Sequence, residues 1–365
     1  MTLHETFLLL LRSTLWGEKI CFEGRKMAQA QYQSLIGLAH EQAVAGLIGQ
    51  SLIDSGLKLP KQAAMEVYAL TETIRQRNEQ MDMAVADLSC KMENQGIRII
   101  VFKGQTLAKL YPDAGLRQSG DIDFICHPDD WSRAMAYFQH TLGVKVKNTN
   151  SNKHVEFELN DIQYEMHSML TSFAYPPHQR YWENVVMKQV WNTPCTIDIC
   201  GQAVPILAPT YNALYVFIHI FYHLIIEGIG LRQFCDWAKA QDKLKINNEE
   251  LKMHLEGIGL YKAYTGLGAI LTDHLGLPMQ AFPFPITNDD HKSVPVLMEN
   301  IWKMGNFGHN VQYIQKRGVV HGLQRLGRTA GQAKLFYHYA PAEAWWRIPQ
   351  TFKWWGVKIH RFFQR

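Results

Sequence analysis

In Asp121-Ile122-Asp123 two carboxylates are separated by a single residue. On a strand, positions i and i+2 share a face, which sets Asp121 and Asp123 side by side and turns Ile122 and Phe124 towards a core. Neighbouring carboxylates repel. A hard divalent cation such as Mg²⁺ or Mn²⁺ relieves the repulsion and keeps coordination positions for water and substrate phosphates. The tripeptide alone is unspecific, because exposed strand ends often carry acids. Its surroundings supply further parts. The β-branched run 97–102 ends in Lys103-Gly104 and opens a helix, whose first N–H groups can hold an anion. Glu165 lies in a later run of strand character and adds a third carboxylate if that strand pairs beside the Asp strand. A phosphate cradle and three acids suit two-metal phosphoryl or nucleotidyl transfer.

The elements around these residues must position them. Residues 1–94 carry apolar side chains three and four apart, as in Leu38, Ala39, Ala43 and Leu47, which predicts helices with almost no strand. Gly96 changes the character of the chain. Strands are predicted over 97–102, 121–126 (stopped by Pro128), 144–147, 154–159 and 162–167, the last two forming a hairpin through Asn160-Asp161. Helices are predicted near 129–141 and 177–190, then a short β segment to 207 and helix from 210 onwards. The resulting division is a helical segment 1–94, a catalytic domain 95–207 and a helical domain 208–365.

The net charge is +4, and the last 35 residues hold six Lys/Arg against the single Glu343, so the rest of the chain is close to neutral. No basic face for an extended nucleic acid is indicated, which favours small substrates. The cysteines at 21, 90, 126, 195, 200 and 235 form no Cys-x-x-Cys pair and read as reduced and structural. The first residues lack a basic leader and a cleavage site, and their apolar run is too short for a bilayer, so a cytoplasmic protein is expected.

The run Phe102-Lys103-Gly104-Gln105-Thr106-Leu107-Ala108, followed by Tyr111-Pro112, Leu116-Arg117 and Gly120-Asp121-Ile122-Asp123-Phe124, resembles a bacterial family of uncharacterised nucleotidyltransferases within the DNA polymerase β-like superfamily. Glu165-Met166-His167 is similar to that family's later acid-x-His element, and His223, Arg232 and Asp236 to a helical His, Arg and Asp. The resemblance implies an α+β fold: a mixed sheet with helices, flanked by mainly helical segments. It implies transfer of a nucleoside monophosphate from an NTP to an acceptor, usually a hydroxyl. Asp121, Asp123 and Glu165 become metal ligands and the catalytic triad, with Mg²⁺ or Mn²⁺ as cofactor, and Gly104 belongs to the phosphate-binding turn. Gln105 departs from the usual Ser or Gly, and Thr106 or Ser119 is then the alternative hydroxyl.

Lys103 and Arg117 suit triphosphate as point charge and bidentate fork, against the plainer reading of two surface cations. His167 shares a face with Glu165 and either touches substrate or fills the core. His219 and His223 are spaced i, i+4 without the Glu of a zinc protease, so packing on the sheet is favoured. Arg232 and Asp236 suit an intrahelical ion pair or face the nucleotide cleft. The C-terminal aromatics Trp345, Trp346, Trp354, Trp355, Phe362 and Phe363, with Lys353, Lys358 and Arg361 among them, have the composition of a weak membrane-surface contact, although packing on their own domain is the commoner use. The partners expected are an NTP and a small-molecule or macromolecular acceptor. A module that binds nucleotide or partner without turnover is the alternative, and Gln105 is its main support.

Overall fold

A computed structural model describes residues 1–22, 24–148, 154–226, 228–306 and 319–349. The fold is α+β. Seven strands form one mixed sheet in the order β3-β4-β5-β2-β1-β7-β6. They are β1 (Ile99–Phe102), β2 (Asp121–Cys126), β3 (Lys147–Asn148), β4 (His154–Leu159), β5 (Ile162–His167), β6 (Cys195–Ile199) and β7 (Gln202–Ile206). β2 runs parallel to β5 and β1 parallel to β7, and the other neighbours are antiparallel.

Alternation divides the central strands between two cores. Ile99, Val101, Ile122, Phe124, Cys126, Tyr164 and Met166 point to one face, where they pack with Met81, Val85, Leu88 and Met92 of the long helix Lys61–Asn94. These helix positions recur at threes and fours, a stripe that fits a sheet surface. Ile100, Phe102 and Ile125 point to the other face, into a larger core. There the first helices, through Phe7, Leu11 and Leu35, pack in one cluster with Phe217, Phe221, Trp237 and Tyr264 from the later ones. Arg12 and Trp16 add hydrogen bonds to the carbonyls of His274 and Leu275.

The helix Pro209–Ile226 covers the second face. Proline at its first position has no N–H to leave unsatisfied, and residues buried nearly all round make it an interior helix. The hairpin β4–β5 turns through Asn160 and Asp161 with φ of 51° and 60°, the paired left-handed geometry that Asn and Asp tolerate. A second hairpin, β6–β7, turns through Cys200 and Gly201 at 53° and 79°.

The strand expected over 144–147 is shorter and displaced. Val144 is buried in the core, and pairing begins only where β4 lies opposite, at Lys147 and Asn148. The helix expected near 177–190 extends from Pro176 to Asn192.

Residues 341–349 form a helix held by one buried acid. Glu343 accepts from the N–H groups of Ala174 and Tyr175 and from the Tyr222 hydroxyl, with His178 Nδ1 at 2.8 Å. Burial opposes its charge, yet these donors hold its pKa below the usual carboxylate value. Trp345 is 64% exposed on this helix, while Trp354, Trp355, Phe362, Phe363, Lys353, Lys358 and Arg361 lie outside the described residues. Among the described residues no helix is long and apolar enough to cross a membrane.

Candidate active site

The acidic face is built by strand register. Asp121, Asp123 and Ile125 on β2 lie opposite Gln163, Glu165 and His167 on β5, so the condition placed on Glu165 is met. A parallel pair keeps same-face residues adjacent, and Asp123 and Glu165 are direct neighbours. On the other side Phe102 of β1 lies opposite Asp123.

Asp123 is 4% exposed and holds two basic groups. Lys103 Nζ lies 3.3 Å from each of its oxygens. His167 Nε2 lies 3.0 Å from Asp123 Oδ1 and 3.3 Å from Glu165 Oε2. Asp123, Glu165 and His167 each offer a ligand atom within 4.8 Å of the others, and His154, Glu156 and Glu165 form a second such group. Asp121 is in neither group, although it shares the face of Asp123. The geometry therefore brings His167 into the acidic cluster more closely than Asp121.

Charge states follow from burial and neighbours. Burial and the charge of Asp123 push the Asp121 carboxyl up to about 6. For Asp123 burial acts in the same direction, but Lys103 and the His167 hydrogen bond outweigh it and hold its pKa well below the usual range. Burial works against the charge of His167, and its contacts with Asp123 and Glu165 reverse that and raise it. Lys103 is also raised, since Asp123, Tyr215, Asp121 and Glu165 together overcome desolvation.

The turn that carries Lys103 is strained. Lys103 has φ 57° and ψ −144°, a region that side chains other than glycine rarely occupy. Gly104 follows at φ 38°, close over the Asp121 carbonyl, which a Cβ there would meet at 3.5 Å. Gln105 is buried, and its Nε2 donates to Asp82 Oδ1 at 2.6 Å and to the Asn78 carbonyl at 3.2 Å. Its side chain ties the turn to the long helix 61–94, away from the acidic face. Thr106 Oγ1 donates to the Lys103 carbonyl at 2.7 Å and braces the same turn.

Arg117 stands apart from the acids. Its Nε and Nη2 donate to the two oxygens of Asp236 at 2.7 and 2.8 Å, and its Nη1 donates to Ser119 Oγ at 2.8 Å. The Tyr111 hydroxyl donates to the same carboxylate at 2.7 Å. The fork expected for phosphate is thus closed on a protein carboxylate. Asp236 pairs with Arg117 instead of with Arg232 one turn earlier. The preceding loop is held close to the helix Ala45–Asp54, where a Cβ on Gly46 would come within 2.3 Å of the Leu116 carbonyl.

The helix Pro209–Ile226 roofs the face through Tyr215 and His219. The Tyr215 ring lies 5.0 Å from Phe102, and Lys103 Nζ is 5.6 Å from its centroid. Rings of Tyr215, His219 and His223 follow one another along the helix at 6.1 and 4.3 Å, and Tyr215 stands edge-on against a strand residue, Phe102. His219 is held well below the ordinary histidine value by burial first and by Lys103 second. Tyr215 has a spacing signal only in hindsight, being four residues before His219.

Residues 28–275 match a family model described as an uncharacterised nucleotidyltransferase. The chain belongs to that family. The crystal structure of an antigenic nucleotidyltransferase-like protein from Paracoccidioides brasiliensis is similar at 14% identity and a TM-score of 0.36, over 54% of this chain and 92% of that one. At that score the likeness does not bear on the site. No curated protein matches the chain. Within the nucleotidyltransferase family frame, the residues that meet on one face here are Asp121, Asp123, Glu165, His167 and Lys103.

Proposed function

We infer that the protein is a divalent-metal-dependent nucleotidyltransferase that moves a nucleoside monophosphate from an NTP to an acceptor hydroxyl. The observation that carries this reading is the parallel register of β2 and β5. It sets Glu165 beside Asp123 with Asp121 on the same face, so three acids converge around a strained Lys-Gly turn. Carboxylates with one imidazole fit a divalent ion such as Mn²⁺ or Mg²⁺. Asp121, Asp123 and Glu165 would hold it, with His167 as a further ligand or as the group orienting Glu165. Bound there, the ion would supply charge neutralisation at the transferring phosphate.

The chain's own residues then act as follows. Glu165, 28% exposed where its neighbour Asp123 is 5%, takes the proton of the acceptor hydroxyl as it attacks the α-phosphorus, and pyrophosphate leaves. Lys103, held between Asp123 and Tyr215, supplies a positive charge to the phosphates. The reading as a binding module without turnover drew on Gln105, but that side chain is turned to Asp82 and Asn78 and does not favour it.

The test is label transfer. The full chain is incubated with Mn²⁺, acceptor-containing cell extract and NTP labelled at either the α or the γ position. Transfer of α label, absent in Asp121→Asn with Asp123→Asn, is the expected result. Transfer of γ label would show phosphoryl transfer instead, and no transfer of either would leave only a binding module.

A further inference from the structure

Charge is unevenly spread along the chain. Residues 301–365 carry 11 Lys/Arg against one acid, Glu343, whereas residues 1–300 carry 26 Lys/Arg against 32 Asp/Glu. That one acid does not reach solvent. Glu343 is fully buried, and its oxygens are taken by Ala174, Tyr175, Tyr222 and His178. The segment therefore presents no carboxylate of its own at the surface.

Within this segment the helix Val319–Phe336, with the turn after it, and the helix 341–349 enclose a crevice of about 340 Å³. Ala330, Ala333, Lys334 and Tyr337 line it from one side, Trp345 and Ile348 from the other. Tyr337 and Trp345 are each more than half exposed, and Lys334 is exposed between Ala333 and Tyr337. Trp346, also exposed, leans on Tyr175 at 5.8 Å between ring centroids. The helix that carries both tryptophans is fixed, because Glu343 ties it to the loop after β5 and to Tyr222 of the helix Pro209–Ile226. Large rings held out in water over an aliphatic floor mark an interaction surface.

We propose that this face docks on an anionic lipid bilayer, with Trp345 and Tyr337 entering the headgroup level, the aliphatic crevice taking hydrocarbon and Lys334 meeting lipid phosphate. Rings with one polar edge suit that depth, and a surplus of cations draws them to negatively charged lipid. A nucleic acid calls for cations ranged along a groove. This crevice has one lysine, and its floor is alanine and isoleucine. The docking is independent of the nucleotidyltransferase reading, yet the two surfaces share a support: Tyr222, which donates to Glu343, lies on the helix that roofs the acidic face.

The full chain is sedimented with vesicles of phosphatidylcholine alone and of equal parts phosphatidylcholine and phosphatidylglycerol. Pelleting with the mixed vesicles, weakened by added salt, and none with the neutral ones is the expected result. Trp345→Ala with Tyr337→Ala should weaken binding to the mixed vesicles about tenfold or more, and Lys334→Gln about fivefold. A second measurement keeps the surface intact: brominated acyl chains in the mixed vesicles quench tryptophan fluorescence, and the quenching falls in the conservative Trp345→Phe while pelleting is kept. Absence of wild-type pelleting with the mixed vesicles, wild-type affinity in the double variant, or equal quenching in Trp345→Phe would overturn the proposal. So would a wild-type dimer in light scattering that the double variant abolishes, which would make this face a contact between copies of the chain.

Discussion

Asp123 and Asp236 lie equally deep, 4% and 3% exposed, and each meets a cation at hydrogen-bond distance, the partly buried Lys103 and the buried Arg117. Their surroundings differ in what is left over. Asp236 receives both arms of Arg117 and the Tyr111 hydroxyl, so one negative charge meets one positive charge in full. Asp123 is flanked on its own face by Asp121 and Glu165, with Lys103 and His167 as the basic groups in contact. A saturated pair ties the 117 loop to the helix 231–243 and offers nothing to a ligand. A cluster with surplus acids carries repulsion that only a further cation or proton removes. The same residue types thus make a strut in one place and a candidate site in the other.

The strongest way to break this comparison is to remove one half of the strut. Asp236→Asn strands the Arg117 charge and should cost about 3–5 kcal/mol of stability, read by urea denaturation, while Mn²⁺ binding by the folded fraction is retained. A loss below about 1 kcal/mol would mean the pair is not closed. Glu165→Gln should show the opposite profile. It removes a repelling charge, leaves the melting temperature unchanged or raised, and weakens Mn²⁺ binding by about tenfold or more, equivalent to ~1.4 kcal/mol. A clear drop in apo stability would argue that Glu165 is structural.

Smaller effects sharpen the boundary between the two regions. Gln105→Ala removes two hydrogen bonds to the long helix and should cost about 1 kcal/mol, with label transfer retained; loss of transfer at intact stability would return Gln105 to the phosphate site. The pH dependence is the finest of these effects. Asp121 titrates at about 6 in the folded chain against 3.8 for the free group, so the folded state binds the extra proton between these values. Stability of the apo protein from this group therefore falls as pH rises through that window. The Mn²⁺-induced rise in melting temperature should grow between about pH 5 and about pH 7, and Asp121→Asn should flatten both slopes. A metal response independent of pH in the wild type would place Asp121 outside the site.

Much of the acidic face was legible in advance, because its signal is local. Alternation put Asp121 with Asp123 and Glu165 with His167, and Asn160-Asp161 marked the hairpin that orients β5. The parallel pairing of β2 with β5 was not legible, since no turn joins the two strands and register across a crossover leaves no local pattern. The Arg117–Asp236 strut spans 119 positions; helical spacing pointed to Arg232 as the partner of Asp236, and tertiary packing overrode it. Gln105 stood out as a departure from the family pattern, but its hydrogen bonds to Asp82 and Asn78 could be seen only once the long helix lay beside the turn.

The central claim is that the acids of β2 and β5 form a metal and nucleotide site, and melting temperature with and without Mn²⁺ and NTP tests it most directly. The account predicts a rise in the wild-type chain that disappears in Asp121→Asn with Asp123→Asn, while the apo variant still unfolds cooperatively, at a melting temperature lowered by the Asp123 contacts to Lys103 and His167 that it loses. An undiminished rise in the double variant would contradict the account.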